Sequence, residues 1–332
     1  MKRWPALALG LAVILLTVGG CATLAGQYFA DQALTTGPNG PETPADLGAP
    51  YQKVSIPSGS RRLDAYLVRA PGDCADPPAI LIYHGFDETI SYWAATQQFL
   101  YLHCVTSLVF DPTGSGDSPR PTSVAKVGQD ASSAFAFARS ALGPRTRIYV
   151  LGHSMGNAIL LQAEPGFSPQ PSGVIVADAF SSLRDFYAIH GAPGILAHAM
   201  PDWWDNVVAV RQVHVPVLVI HSDADKLVPL EEARRIYAAA GQPKSMTVVH
   251  GFPHNGLRRK PSEAWWASVL TFVHSPGVST TPLGPLAAPP PAKSASANES
   301  ETAREERIRA EALSLARPDA PDPPSQQVGQ AP

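Results

Sequence analysis

Gly152-His153-Ser154-Met155-Gly156 sets a serine between two glycines, the spacing an acyl-transfer nucleophile requires. Where a strand turns sharply into a helix, the backbone at the serine is strained and its neighbours are pressed together. Only small residues fit two positions to either side, and the hydroxyl then stands clear of the strand end. Arg147-Ile148-Tyr149-Val150-Leu151 supplies the apolar strand, and Asn157-Ala158-Ile159-Leu160-Leu161 the start of the helix. A serine hydroxyl is a weak nucleophile until a base takes its proton and a third group orients that base.

The elements that must position such a group are legible around it. Gln52 to Pro57 and Leu63 to Ala70 alternate apolar and polar residues about Ser58-Gly59-Ser60 and read as a hairpin at a sheet edge. Strands and helices then alternate. Strands are expected at Ala79 to His84, Val105 to Phe110, the Ser154 strand, Gly173 to Ala177, Val217 to Ile220 and Met246 to Val249. Helices are expected at Ser91 to Leu102, Ser123 to Leu142, Leu230 to Ala240 and Glu263 to Val273. This is an α/β pattern, a mostly parallel sheet with helices on both faces, whose function gathers at the carboxyl ends of the strands.

His221-Ser222-Asp223-Ala224-Asp225-Lys226-Leu227-Val228-Pro229 follows a buried strand, and Gly251-Phe252-Pro253-His254-Asn255 follows the last one. Together with the serine element, these stretches resemble the α/β-hydrolase fold family, in which nucleophile, acid and histidine occur in that order. Matching landmarks run from Tyr51 to about Ser275. The nearest likeness is to small-lid esterases and depalmitoylating hydrolases, with the serine aminopeptidase group behind them. The resemblance implies a triad of Ser154, Asp225 and His254, with an oxyanion hole formed by the backbone amides of Phe86, in His84-Gly85-Phe86-Asp87, and Met155. Ser222 stands where the family turn has glycine. Asp223 and Asp178 are rival acids and His250 a rival histidine, while His84 and His153 read as structural. Asp111 to Ser118 resembles a scaffold loop beneath the site. A short lid over about 182 to 214, carrying Phe186, Leu196, Met200, Trp203 and Trp204, offers apolar surface for an acyl chain.

The implied reaction is hydrolysis of a carboxylic ester or thioester, its substrate a small or lipid-like acyl ester. The resemblance implies no cofactor, and the residues offer no metal-ligand spacing. Aminopeptidase or amidase chemistry is the enzymatic alternative, with Asp185, Asp202 and Asp205 as candidates to receive a substrate amine. A lipid-anchored envelope-organising protein with an inert hydrolase fold is the alternative of another class.

The 332 residues are 45% hydrophobic and 16% charged, with a formal charge of −3, and no basic stretch suggests nucleic-acid binding. Lys2 and Arg3 precede an apolar segment from Trp4 to Val18, and Val18-Gly19-Gly20-Cys21 resembles a bacterial lipobox. The expectation is a signal peptide over 1–20 and a lipid on Cys21. A flexible tether over 21–50 and the hydrolase domain over 51–275 follow. The tail, 276–332, is rich in proline and alanine, is expected to be largely disordered and has no assigned partner. Lipidation would anchor an exported protein to the cell envelope, at the periplasmic face of the outer membrane in a Gram-negative source. In that setting disulfides persist, and Cys74 and Cys104 each precede one of two neighbouring strands, a candidate bridge against the alternative of two buried thiols.

Overall fold

The computed structural model describes residues 34–191 and 204–275. Cys21 and the leader, the lid residues Leu196, Met200, Asp202 and Trp203, and the tail lie outside them. No helix among the described residues is long and apolar enough to cross a membrane.

Eight strands form one sheet: β1 (Gln52–Ser58), β2 (Arg61–Val68), β3 (Ala79–Tyr83), β4 (Thr106–Phe110), β5 (Ile148–His153), β6 (Gly173–Ala177), β7 (Val217–Ser222) and β8 (Lys244–Val249). Their order across the sheet is β1-β2-β4-β3-β5-β6-β7-β8. β1 and β2 pair antiparallel as a hairpin, β2 meets β4 antiparallel, and every later pairing is parallel. β3 to β7 are buried along their whole length, as strands covered on both faces must be.

The helices are α1 (Ala94–Leu102), α2 (Val124–Leu142), α3 (Met155–Ala163), α4 (Leu183–Ile189), α5 (Asn206–Ala209), α6 (Leu230–Ala239), α7 (Gly256–Arg259) and α8 (Glu263–His274). Two apolar layers result. One, with Leu81, Val150, Val176 and Val219 facing α2, α3 and α6, lies on one face; the other, with Ile82, Leu151 and Ile220 facing α1 and α8, lies on the opposite face. Alternation along each strand assigns successive side chains to the two layers.

The expected elements recur with ends shifted by a few residues. Ser123 is the N-cap of α2, its hydroxyl accepting from the Lys126 amide. The expected helix from Ser91 begins as a 3₁₀ turn, Ile90–Trp93, before α1. Of the stretch expected to form a lid, the described elements are α4, α5 and the 3₁₀ turn Val210–Gln212, drawn together at their base by a bridge between Ser182 and Asp205 and by the Asn206 amide on the Ser181 carbonyl at 2.8 Å.

One expectation is corrected. Residues 34–50, assigned to a flexible tether, lie docked on the domain: Leu34 and Ala49 are buried, and the Thr36 amide donates to the Gly114 carbonyl at 3.1 Å. Composition rich in proline and glycine reads as a linker, whereas the docking combines a few buried apolar side chains with polar contacts to distant loops. Cys74 and Cys104 form a disulfide with Cα atoms 5.6 Å apart, ahead of the parallel neighbours β3 and β4.

Candidate active site

Ser154 sits between β5 and α3 with φ 50° and ψ −120°, a left-handed backbone that a non-glycine residue adopts only where its surroundings hold it. What holds it is close packing. A Cβ on Gly156 would run into the Tyr83 carbonyl and stand 2.6 Å from that of His84; one on Gly152 would meet Asn157 Oδ1 at 2.6 Å. Asn157 clamps the turn further, its amide nitrogen donating to the carbonyls of Ser154 (3.1 Å) and Ala177 (2.8 Å).

Asp225 lies in the turn after β7, its side chain fully buried. One carboxylate oxygen accepts from the amides of Leu227 (2.9 Å) and Val228 (2.8 Å), and the other meets His254 Nδ1 at 2.6 Å. Burial opposes ionisation of Asp225, but the charges and hydrogen bonds of His254, with His221 and the Val228 amide behind them, hold its pKa below the usual carboxylate value. His221, whose Nε2 donates to the Val228 carbonyl at 2.8 Å, has its own pKa lowered by burial against the pull of Asp225.

Asp223 and His250, the rivals, turn out to be each other's partners at 2.6 Å, with side chains 40% and 41% exposed. The same loops therefore carry two Asp–His pairs, one solvated and one buried. The buried pair lies against the residue before the serine: His153 Nε2 donates to the His254 carbonyl at 3.2 Å. Asp178, at the end of β6 with φ 48°, accepts from the Ser222 amide at 3.2 Å. Asp178, His221 and Asp225 bring donor atoms within 4.8 Å of one another, but the Asp225 carboxylate and His221 Nε2 are engaged as just described.

Ser222 has a definite task. Its hydroxyl donates to the Phe252 carbonyl (2.6 Å) and accepts from the amides of Phe252 (3.1 Å) and Ala224 (3.2 Å), so it rivets the Asp225 turn to the His254 loop. The departure from glycine thus adds a link between the two loops.

The loop after β3 lies against the serine, since a Cβ on Gly85 would stand 3.1 Å from Ser154 Cβ. Phe86 and Met155 therefore flank Ser154, Met155 as the first residue of α3, where amides have no acceptor within their own helix. Beneath this loop is a buried carboxylate that sequence reasoning passed over. Glu88 Oε2 accepts from the Gly85 amide (2.8 Å) and Trp93 Nε1 (3.0 Å), and Oε1 meets Arg258 Nε (2.8 Å) and His153 Nδ1 (3.0 Å). Burial works against its charge, yet His153 and Arg258 outweigh that and keep its pKa well below the usual value. For His153, burial outweighs the attraction of Glu88 and lowers the pKa.

The sequence profile of the family described as serine aminopeptidase, S33 (Hydrolase_4) matches residues 77–206, from before β3 through the elbow to the lid. Protein Rv2307c of Mycobacterium tuberculosis is 31% identical over 182 residues, which cover 54% of this chain and 63% of that protein. The lysophosphatidylserine lipase ABHD12 of Danio rerio is 26% identical over 192 residues, covering 51% of this chain and 49% of the lipase. The chain thus spans only half to two thirds of these relatives. Among solved structures, the Pyrococcus furiosus esterase Pf2001 superposes with a TM-score of 0.58 at 18% identity, covering 72% of this chain and 96% of the esterase. Strand order, elbow geometry and these similarities converge on one conclusion: this chain has the α/β-hydrolase fold.

Proposed function

We propose that the protein is a serine hydrolase that cleaves a carboxylic ester or thioester through an acyl-enzyme. Ser154 Oγ attacks the carbonyl carbon while His254 Nε2 takes its proton, and the oxyanion is received by the amides of Phe86 and Met155. Collapse of the tetrahedral adduct expels the alcohol or thiol, which leaves with the proton from His254. Water, deprotonated by the same imidazole, then attacks the acyl group and restores the Ser154 hydroxyl. Asp225 holds the His254 tautomer with its proton on Nδ1 and stabilises the imidazolium that forms.

The observation that carries this reading is the fully buried Asp225–His254 contact at 2.6 Å beside a serine in elbow geometry. The likeness to a lysophosphatidylserine lipase favours acyl esters as the substrate class. The match to the serine aminopeptidase family favours a peptidase as the second reading. Two of its candidate carboxylates are already engaged, Asp185 by Arg235 at 2.8 Å and Asp205 as the N-cap of α5, which supports the ester reading.

Turnover of p-nitrophenyl esters of increasing chain length, set beside aminoacyl amides, separates the two. The expected result is ester cleavage, covalent labelling by a fluorophosphonate, and loss of both in Ser154→Ala. Equal rates in wild type and Ser154→Ala would overturn the proposal. Cys21 is proposed as the lipid attachment site of an envelope-anchored form; incorporation of an alkynyl fatty acid in wild type and not in Cys21→Ser tests it.

A further inference from the structure

The docked segment before β1 reaches the floor of the site. Asn39 Nδ2 donates to Asp111 Oδ2 at 2.9 Å, and Asp111, fully buried, gives its other oxygen to His84 Nε2 (3.2 Å) and the Ile90 amide (2.9 Å). His84 Nδ1 in turn lies 3.0 Å from the Gly85 carbonyl. Both ring nitrogens of His84 thus face acceptors, the arrangement of an imidazolium, which donates on both sides. In the same direction, Asp111, aided by Glu88, overcomes the burial that opposes the charge and raises the His84 pKa.

The consequence follows from peptide planarity. The Gly85 carbonyl and the Phe86 N–H belong to one rigid unit and point opposite ways, so a donor gripping the carbonyl aims the amide. We propose that Asn39 is a positioning residue for the oxyanion hole, acting through Asp111 and His84 on the Gly85–Phe86 peptide. The proposal rests on the hydrolase reading above.

The strap is built to hold that contact. The Gly116 amide donates to Thr36 Oγ1 (3.1 Å), the Arg120 guanidinium to the Thr36 carbonyl, and the Gly40 amide to Ser91 Oγ (2.8 Å). Gly116, at φ 51°, leaves room for it: a Cβ there would stand 2.8 Å from Asn39 Nδ2 and 2.6 Å from Asp111 Cγ. Among the described residues Asn39 is the donor that reaches Asp111 Oδ2, so the segment before the hydrolase landmarks completes the site.

The test compares wild type, Asn39→Leu, Thr36→Val and the exposed-strap control Glu42→Ala in the full chain. Ester kinetics, the inhibition constant of a trifluoromethyl ketone and amide hydrogen exchange by mass spectrometry are read for each. Asn39→Leu is expected to lower kcat by about tenfold to a hundredfold with KM nearly unchanged, because the amide it aims serves the transition state. Affinity for the ketone should fall in parallel, exchange across 84–91 should rise, and α6 should keep its protection. Thr36→Val, which loosens the strap without touching Asp111, should do the same to a smaller extent; it decides the matter if Asn39→Leu does not fold. Unchanged kcat and ketone affinity in the folded variants would overturn the proposal, as would faster exchange with no kinetic effect. Absence of turnover and of fluorophosphonate labelling in wild type would instead overturn the hydrolase reading. The exchange data would still report whether the strap holds the loop.

Discussion

Glu164, in the 3₁₀ turn that follows α3, is fully buried, and neither of its carboxylate oxygens has a hydrogen-bond partner. Burial raises its pKa from 4.5 to about 7, and its field helps push the buried Tyr83 phenol well above its ordinary value. In the unfolded chain the same carboxyl ionises near 4.5. Below that pH both states hold the proton and stability is independent of it. Between about pH 4.5 and 7 the folded state binds one proton more than the unfolded, so stability falls as pH rises, and above about 7 the loss is complete. At about 1.4 kcal/mol per pH unit the full span is worth about 3 kcal/mol. Glu164→Gln keeps the shape and removes the titration. Urea unfolding followed by tryptophan fluorescence at pH 5, 6, 7 and 8 should show the variant gaining on wild type as pH rises, by up to about 3 kcal/mol at pH 8, roughly 6–12 °C in Tm. Other titrating groups are common to both proteins and cancel in the difference. A difference that stays flat from pH 5 to 8 would refute the reasoning.

Asp225→Asn should lower kcat for ester turnover by about 10³–10⁴-fold through the wrong His254 tautomer, while Asp223→Asn, which disturbs only the solvated pair, should leave turnover nearly unchanged; steady-state kinetics of the two decide it. Replacing Cys74 and Cys104 by serine opens a link with sequence separation 30 and should cost about 3–4 kcal/mol in the chain-entropy account, measured by unfolding the variant beside the oxidised wild type. Glu88→Gln alone takes away the carboxylate that faces the buried Arg258 guanidinium and should destabilise by about 3–5 kcal/mol. The double variant Glu88→Leu, Arg258→Met should recover much of that stability in the same unfolding assay and yet remain slow in ester turnover, because an apolar pair cannot hold the Gly85 amide.

The sheet was legible because its determinants are local. Apolar runs such as Ile148–Leu151 and Val174–Val176, bounded by turns and alternating with helix-period segments, fix strand and helix irrespective of what lies elsewhere. Ser154 was legible for the same reason, since the glycines that permit its backbone are its near neighbours. The choice between Asp223 and Asp225 was less so. Both stand in one turn and both find a histidine, and what separates them is burial and the two amides on Asp225. Glu88 and Arg258 meet across 170 residues with no periodic pattern to announce the pairing, and Asn39 meets Asp111 across 72. Polar contacts between loops leave no trace in hydrophobic period, so the strap read as a tether.

These contacts explain how an apolar sheet supports a site that needs angular accuracy. Burial of β3 and β5 brings their ends together, but apolar packing is non-directional and leaves the loops beyond those ends free to rotate. Hydrogen bonds carry direction, and here one carboxylate serves several loops at once. Glu88 accepts from the Gly85 amide, Trp93 Nε1 and Arg258 in the helix after His254, and lies 3.0 Å from His153 Nδ1; Asp111 grips His84, the Ile90 amide and the strap. Removing one partner leaves a buried charge uncompensated, so each network favours a single arrangement of all its members over any partial one. The loops bearing Ser154, Phe86 and His254 are thereby coupled, and an error at one is resisted by the others. The geometry of the candidate site belongs to the two acidic hubs under the strand ends as much as to Ser154, Asp225 and His254 above them.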